Sequence, residues 1–392
     1  MQETPLMSTA HEALKAQRAL GVGRMNCYLC SEPLTPQNDS GEHIIPNSIG
    51  GIREVKGFIC RQCNGKAGET WDTDLSRQLN KLALFFRVVR DRGQNRAEVI
   101  ETTAGEKLIY DKNSLKFFAP DIQKEVRGDG VHFQISANDM KQARQIVTGL
   151  KRTYPALDVE KTLANATVQT KYPDGYFHFE FSFGGLSVGK SFVKTALALL
   201  SAHGIDPKIC ERANTYILDD GEPCFGHYYH QDLLINRPVG VPAHCICVKG
   251  NKTARTVQAY LEYFGIVRIV ISLSADYAGH DFKYSYAIDP TKGQEFLVDF
   301  DLDFKESEIR QIYEYQFYDS QVARDCLHAV LPQEISRQQE QHLEEVLAKA
   351  REAIEHRFSD SEHVDPDEFI QAYLESLTPY IHHLANTGLR GK

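Results

Sequence analysis

The chain of 392 residues lacks the features that mark membrane, secreted or repetitive proteins. No apolar run approaches the roughly 20 residues that a helix needs to cross a bilayer. The stretch Met1 to Pro5 has neither the charged region nor the apolar region that opens a secretion signal, so we expect none. Internal repeats and low-complexity linkers are also missing. These absences favour a folded cytoplasmic chain of two or three domains with no membrane partner.

A disulfide framework is also not indicated, because the nine cysteines are few for this length and four of them share another pattern. Two CxxC pairs, Cys27/Cys30 and Cys60/Cys63, are separated by 29 residues. This spacing is typical of a structural zinc site with four cysteine ligands. The other cysteines are predicted to be small buried apolar residues: Cys210, Cys224, Cys245, Cys247 and Cys326.

Groups suited to phosphodiester hydrolysis lie between and after the two cysteine pairs. Glu42 and His43 open the sequence Glu-His-Ile-Ile-Pro, and Asn64 follows the last cysteine. A neutral imidazole is a natural proton acceptor near pH 7, so His43 is predicted to be the general base. A carboxylate and an amide oxygen suit a hard cation, so Glu42 and Asn64 are predicted to bind magnesium or manganese. Alternatively, Asn64 could simply cap the following helix.

Together these residues resemble the HNH endonucleases, and more narrowly the zinc-stapled ββα-metal nucleases, over residues 24 to 80. The resemblance implies a hairpin and a helix that hold one divalent cation, a zinc ion that joins them, and DNA as the substrate. Glu42 stands where the family usually has Asp, and residues 52 to 59 lack the family's middle Asn. Asn47 could act instead as a scaffold for the loop that carries His43. Glu69 or Asp72 could add a carboxylate to the cation site.

Glu42 and His43 are adjacent in the chain, and adjacent side chains on an extended strand point to opposite faces. A local twist or bulge must therefore bring both side chains to one site.

The net charge of −9 argues at first against a polyanionic substrate. Residues 1–100, however, carry 13 Lys and Arg against 11 Asp and Glu. Basic side chains are concentrated after the second cysteine pair, where they could contact phosphates or form a solvated helix face. The residues predicted to contact nucleic acid are Lys66, Arg77, Lys81, Arg87 and Arg90.

Beyond residue 100, short aromatic and β-branched runs alternate with helical patterns, which is typical of an α+β domain. Strands are predicted near 115–118, 131–135, 176–183, 228–235, 245–248, 267–273, 282–288 and 295–300. Helices are predicted near 139–153, 190–202, 256–263, 334–358 and 365–384. The expected organisation is an N-terminal helix or tail at 1–23, a ββα-metal (HNH) zinc domain at 24–100, an α+β domain at 101–330 and a helical segment at 331–392. We expect that last segment to pack on its own domain or to form a homodimer contact.

Two further patterns resemble ligand-binding sites. Residues 184–191 fit the phosphate-binding pattern GxxxxGK[ST], but the preceding phenylalanines alternate with polar residues, which favours a glycine-rich turn into an ordinary helix. A second metal site built from His227, His230, Cys245 and Cys247 is disfavoured, because the two histidines would lie on opposite faces of a strand.

The sequence therefore predicts a metal-dependent DNA endonuclease, with genome defence or a mobile element as the expected setting. Residues 101–330 would bind a regulatory ligand or partner. Two alternatives stay open: a nucleotide-binding regulator acting through residues 184–191, and a zinc module that binds nucleic acid without cutting it.

Overall fold

The computed structural model describes residues 25–111, 114–128, 130–359 and 363–390, so the helix or tail predicted at 1–23 lies outside the described residues. Contacts group the chain into two compact units, each made of two stretches. The first unit contains residues up to Arg96 and Phe181–Glu334, and the second contains Ala97–Glu180 and residues from Ile335 onward. This grouping cuts across the domain boundaries expected from the sequence, which remain a prediction.

The first unit opens with a short hairpin and two helices. Its elements are β1 (Glu42–His43), a 3-10 turn (Asn47–Ile49), β2 (Glu54–Val55), α1 (Arg61–Glu69) and α2 (Trp71–Phe85). The two strands are antiparallel, and His43 lies opposite Glu54. Glycine is required between them: Gly50 has φ +97°, and a Cβ on Gly51 would lie 1.7 Å from the carbonyl oxygen of Ile45.

A six-stranded antiparallel sheet forms the rest of the first unit, with three helices and a second 3-10 turn. The strand order is β13-β12-β9-β10-β11-β8. Its strands are β8 (Phe225–His227), β9 (His244–Asn251), β10 (Thr256–Tyr263), β11 (Val267–Ser274), β12 (Phe282–Asp289) and β13 (Gln294–Phe296). The helices are α5 (Leu186–Ala202), α6 (Glu211–Leu218) and α7 (Glu306–Tyr313), and the turn is Pro207–Ile209.

One hydrophobic core joins the hairpin segment to the sheet. Ile45 and Phe86 from the N-terminal segment belong to the same buried cluster as Ile246 and Phe264 of the sheet region. The rings of Phe86 and Phe264 stack with centroids 5.3 Å apart. Helix α5 is buried over most of its surface, as expected for a helix that is apolar nearly all round. The segment with the two CxxC pairs therefore does not have a core of its own.

The described residues of the second unit form two small sheets and four helices. A three-stranded sheet has the order β3-β4-β5, and β6 pairs with β7. The strands are β3 (Glu98–Glu101), β4 (Lys107–Asp111), β5 (Ser114–Phe117), β6 (Asp121–Arg127) and β7 (Gly130–Ser136). The helices are α3 (Met140–Thr153), α4 (Val159–Ala164), α8 (Ser320–Arg357, which starts in the first unit) and α9 (Pro366–Arg390).

The α+β class predicted from the sequence is confirmed, but several elements differ. The helix predicted at 256–263 is wrong, because this segment is strand β10, paired on both sides and buried along nearly its whole length. The strands predicted at 176–183 and 228–235 are irregular and make only isolated bridges. The helix predicted from 334 already begins at Ser320 and passes through Pro332. In the part of the chain that is described, no helix is both long and apolar enough to cross a membrane.

Candidate active site and metal centre

Four cysteine thiols converge at the N-terminal side of α1. The Sγ atoms of Cys27, Cys30, Cys60 and Cys63 all lie within 4.8 Å of one another. A tetrahedral site with zinc–sulfur bonds of about 2.3 Å places its sulfurs about 3.8 Å apart, and Cys30 Sγ lies 3.8 Å from Cys60 Sγ. The amide of Cys60 donates to Cys27 Sγ at 3.2 Å, which orients this sulfur within the cluster. This donor set fits structural zinc.

The imidazole of His43 lies between two carboxylates. Its Nδ1 is 3.7 Å from Glu54 Oε1, and its Nε2 is 3.5 Å from Asp91 Oδ2. Nε2 is buried and makes no hydrogen bond within the described residues. Burial lowers the pKa of His43 below its usual value, and Glu54 counteracts this only in part. The ring is therefore neutral near pH 7, which is the state that accepts a proton.

Glu42 is buried, and its carboxylate points toward helix α5. Lys194 Nζ donates to Glu42 Oε1 and also to Asp72 Oδ2. Burial alone would lower the pKa of Lys194, but Asp72 and Glu42 raise it, so the side chain is a cation. Glu42 Oε2 accepts no hydrogen bond from the described part of the chain, which leaves one oxygen of this predicted metal ligand available.

Asn64 lies on α1, but it does not cap the helix. The N-cap residue is Cys60, whose side chain accepts from the amide of Cys63. Asn64 Nδ2 donates to Ser40 Oγ at 2.7 Å, and this bond fixes the side-chain amide. The capping alternative raised from the sequence is therefore not what the structure has, and metal ligation by Asn64 stays a prediction.

Asn47 holds the segment that brings Asp91 to His43. Its Nδ2 donates to the carbonyl of Arg92 at 2.9 Å, and its Oδ1 accepts from the amide of Asp91 at 3.1 Å. Asn47 thus anchors the backbone of residues 91–92 beside the His43 ring. Its predicted role as a scaffold for the loop that carries His43 stays a prediction.

A cleft of about 500 Å³ collects these side chains. Glu42 and His43 both line it, as does Asn64, although Glu42 and His43 are neighbours on one strand. Around them the cleft is lined by Asn47, Arg61, Asp72, Arg90 and Arg92, with several small residues. A second cavity of about 610 Å³ shares Arg61 and Arg92 with this cleft and adds Lys56.

Of the five residues predicted to contact nucleic acid, only Arg90 lines the cleft. Arg77 is exposed and pairs with Asp74 on its own helix. Lys66, Lys81 and Arg87 do not belong to the lining of either cavity. No sequence pattern identifies Arg61, Glu54, Asp91, Arg92 or Lys194 as site residues. Each is a single charged residue outside any motif.

The phosphate-loop pattern at 184–191 forms the start of a helix. Helix α5 begins at Leu186, and the amide of Gly189 donates to the carbonyl of Gly185 at 2.9 Å. Ser191 Oγ donates to Asp72 Oδ1 at 2.6 Å, and Lys190 pairs with Asp220. The glycine-rich turn into a helix, which the sequence favoured, is present, and its polar residues bind protein groups.

Two groups of possible metal ligands occur among the described residues, the four cysteines and His43 with Glu54 and Asp91. Cys245 and Cys247 lie in the buried core on one face of the sheet, and His227 and His230 join neither group.

Comparison with known proteins gives one match. A family model described as HNH endonuclease matches residues 27–80. No curated protein and no solved structure matches the chain. The matched segment contains all four cysteines, the hairpin with Glu42 and His43, and Asn64 on α1. Residues 27–80 of this chain, called the HNH segment below, are therefore similar to HNH endonucleases.

Proposed function

We propose that this protein is a divalent-metal-dependent endonuclease that hydrolyses DNA phosphodiester bonds. The observation that carries the proposal is the His43 imidazole, buried, lowered in pKa and placed in one cleft with Glu42 and Asn64. Metal-dependent phosphodiester hydrolysis requires a proton acceptor of this kind beside oxygen ligands for a hard cation.

Each side chain then has one task. His43 takes the proton of the attacking water through a ring nitrogen, and the nearby Glu54 and Asp91 favour the imidazolium that results. Glu42 Oε2 and the amide oxygen of Asn64 would hold magnesium or manganese. That cation, when bound, would polarise the phosphate and stabilise the departing oxygen.

Arginines give the cleft its affinity for phosphate. Arg61, Arg90 and Arg92 line it, and Arg61 and Arg92 continue into the adjoining cavity with Lys56. Contacts from such side chains to phosphate oxygens position a nucleic acid without reading its sequence. Binding is therefore expected to weaken as the salt concentration rises.

The test is cleavage of supercoiled plasmid with magnesium by wild type, His43→Ala and His178→Ala. His178 is an exposed histidine that, among the described residues, pairs only with Glu180, so it serves as the matched control. Loss of a positioned base should slow nicking by roughly 10² to 10⁴ in His43→Ala, while His178→Ala should cut like wild type.

Equal cutting by His43→Ala would overturn the assignment of the base. DNA binding without cutting by any of the three proteins would instead support the zinc module that binds nucleic acid.

A further inference from the structure

One buried lysine, on a helix far along the chain, contacts the HNH segment. Lys194 of α5 is 2% exposed, and it is 152 residues from Glu42. Its Nζ reaches Glu42 Oε1 and lies 2.5 Å from Asp72 Oδ2. Lys194 thus bridges the hairpin, through Glu42, and helix α2, through Asp72.

The same face of α5 contacts the start of α2 at two further points. Ser191 Oγ donates to the second oxygen of Asp72, and Lys190 Nζ lies 5.4 Å from the centre of the Trp71 ring. Both oxygens of Asp72 are therefore engaged by α5. Asp72 therefore attaches α5 to α2. Of the two acids, only Glu42 keeps an oxygen without a hydrogen bond from the described residues.

We propose that Lys194 is a positioning residue for the metal ligand Glu42. The inference rests on the proposed function, because it takes Glu42 as a ligand of the catalytic cation. By holding Oε1, Lys194 fixes the rotamer of Glu42 and directs Oε2 into the cleft. Without Nζ, Oε1 of Glu42 would lose its hydrogen-bond donor, and Glu42 would no longer be held in this orientation.

Partners of a ligating carboxylate usually change metal affinity by roughly 10- to 100-fold when they are removed. A loss of this size is expected for Lys194→Met, measured as Mn²⁺ affinity by calorimetry on zinc-loaded full-length protein. Lys190→Met is the matched control, since Lys190 is one turn away on α5 and pairs with Asp220. It should bind Mn²⁺ like wild type.

A double variant separates the effect of holding Glu42 in place from the effect of the positive charge of Lys194. In Lys194→Met with Asp72→Asn, the new amide can donate to Glu42 without adding a positive charge. Mn²⁺ affinity should recover toward the wild-type value in this protein, and Glu42→Gln in the same background should abolish it. If Lys194→Met alone does not fold, as judged by circular dichroism and zinc content, the double variant carries the test.

Two results would overturn the role of Lys194. One is a folded Lys194→Met protein that binds Mn²⁺ as tightly as wild type or more tightly, since the lysine would then only compete with the cation. The other is a folded double variant without Mn²⁺ binding. A wild type that binds Mn²⁺ through Glu42 and cuts no DNA would contradict the nuclease proposal and leave this one standing.

Discussion

His244 shows how one buried side chain connects the HNH segment to the sheet. Its Nδ1 accepts from the amide of Phe264 at 2.9 Å, so the ring proton resides on Nε2, which lies 2.7 Å from the carbonyl oxygen of Ile49. Burial lowers the pKa of His244 to about 3, with a small opposing effect from the Ile49 carbonyl. The folded protein therefore keeps this ring neutral at pH values where the unfolded chain would protonate it.

The sign of the pH effect follows from that difference. Above about pH 6.5, the ordinary histidine pKa, both states are neutral and the contribution to stability is complete. As the pH falls toward 3, the unfolded state binds a proton that the folded state does not, and the free energy of unfolding decreases. At pH 5 the loss from this residue should be roughly 2 kcal/mol.

The matched variant is His244→Gln, which keeps a donor and an acceptor but has no titratable ring. Chemical denaturation at pH 7.5 and pH 5 should show a smaller acid-induced loss of stability in the variant than in wild type. Identical losses in the two proteins would show that His244 is not kept neutral by the fold.

At this scale the sequence predicted the residues that belong to a compact motif. The four cysteines come together as their spacing indicated, and His43, Glu42 and Asn64 share one cleft. Glu54, Asp91 and Lys194 were not identified as site residues, because a single charge has no periodicity or spacing that distinguishes it from a solvated side chain. Their positions depend on long-range packing, which no local pattern encodes.

Among the elements, the short hairpin and α1 are the ones that a bound zinc ion would stabilise. Strands β1 and β2 have two residues each, which is too little pairing for a hairpin to persist unaided. Cys27 precedes the hairpin and Cys60 caps α1, so a bound zinc ion would join the two. Binding free energy at such a site contributes directly to folding.

Cys60→Ser should therefore lose zinc and make residues 25–80 sensitive to protease. Cys326→Ser is the control, because Cys326 is also buried but lies outside the cluster. Zinc per chain by atomic absorption and limited proteolysis would be compared. Full zinc occupancy in Cys60→Ser would exclude the four-cysteine site.

Helix α5 needs glycine at position 189 for packing. A Cβ there would lie 2.1 Å from the ring of Phe225 and 2.5 Å from Tyr216 Oη. Gly189→Ala should thus lower the free energy of unfolding by roughly 1–3 kcal/mol. Gly68→Ala, on α1 with nothing within 4 Å of the new Cβ, should raise it by roughly 0.5–1 kcal/mol.

Thermal unfolding of both glycine variants would measure this contrast. Equal stability of Gly189→Ala and wild type would mean that α5 and Phe225 can move apart without a loss in the free energy of unfolding.

Strand β10 illustrates what limits sequence reading at the level of elements. Its sequence, TVQAYLEY, places apolar residues at both helical and strand spacings, so periodicity alone cannot decide. The central position between β9 and β11 decides in favour of a strand, because neighbours supply hydrogen bonds on both edges. That information is tertiary and becomes available only when the sheet exists.

At the scale of the whole molecule, the HNH segment depends on the sheet beneath it. Its buried residues belong to the core of the sheet. Just after the segment, Phe86 stacks on Phe264, and the Val89 amide donates to the Pro290 carbonyl at 2.8 Å. Removing the sheet would expose this apolar surface to water. Exposure costs a free energy of about 25 cal/mol per Å² of apolar surface.

Residues 25–96 alone should therefore be unfolded or aggregated even with zinc, whereas residues 25–334, which contain the described part of the first unit, should fold. Circular dichroism with a thermal melt distinguishes the two cases. A sharp, cooperative transition in the short fragment would show that the segment is an independent domain, as its predicted boundaries imply.

The bridge from Lys194 to Glu42 and Asp72 also has an evolutionary consequence. Loss of Lys194 would leave the carboxyl groups of Glu42 and Asp72 without their shared counter-charge, which is strongly unfavourable for a buried group. Related chains that retain this architecture should therefore keep a lysine at position 194 wherever they keep acids at both 42 and 72. Lineages that lost the lysine would be expected to have lost the acid at 72 as well.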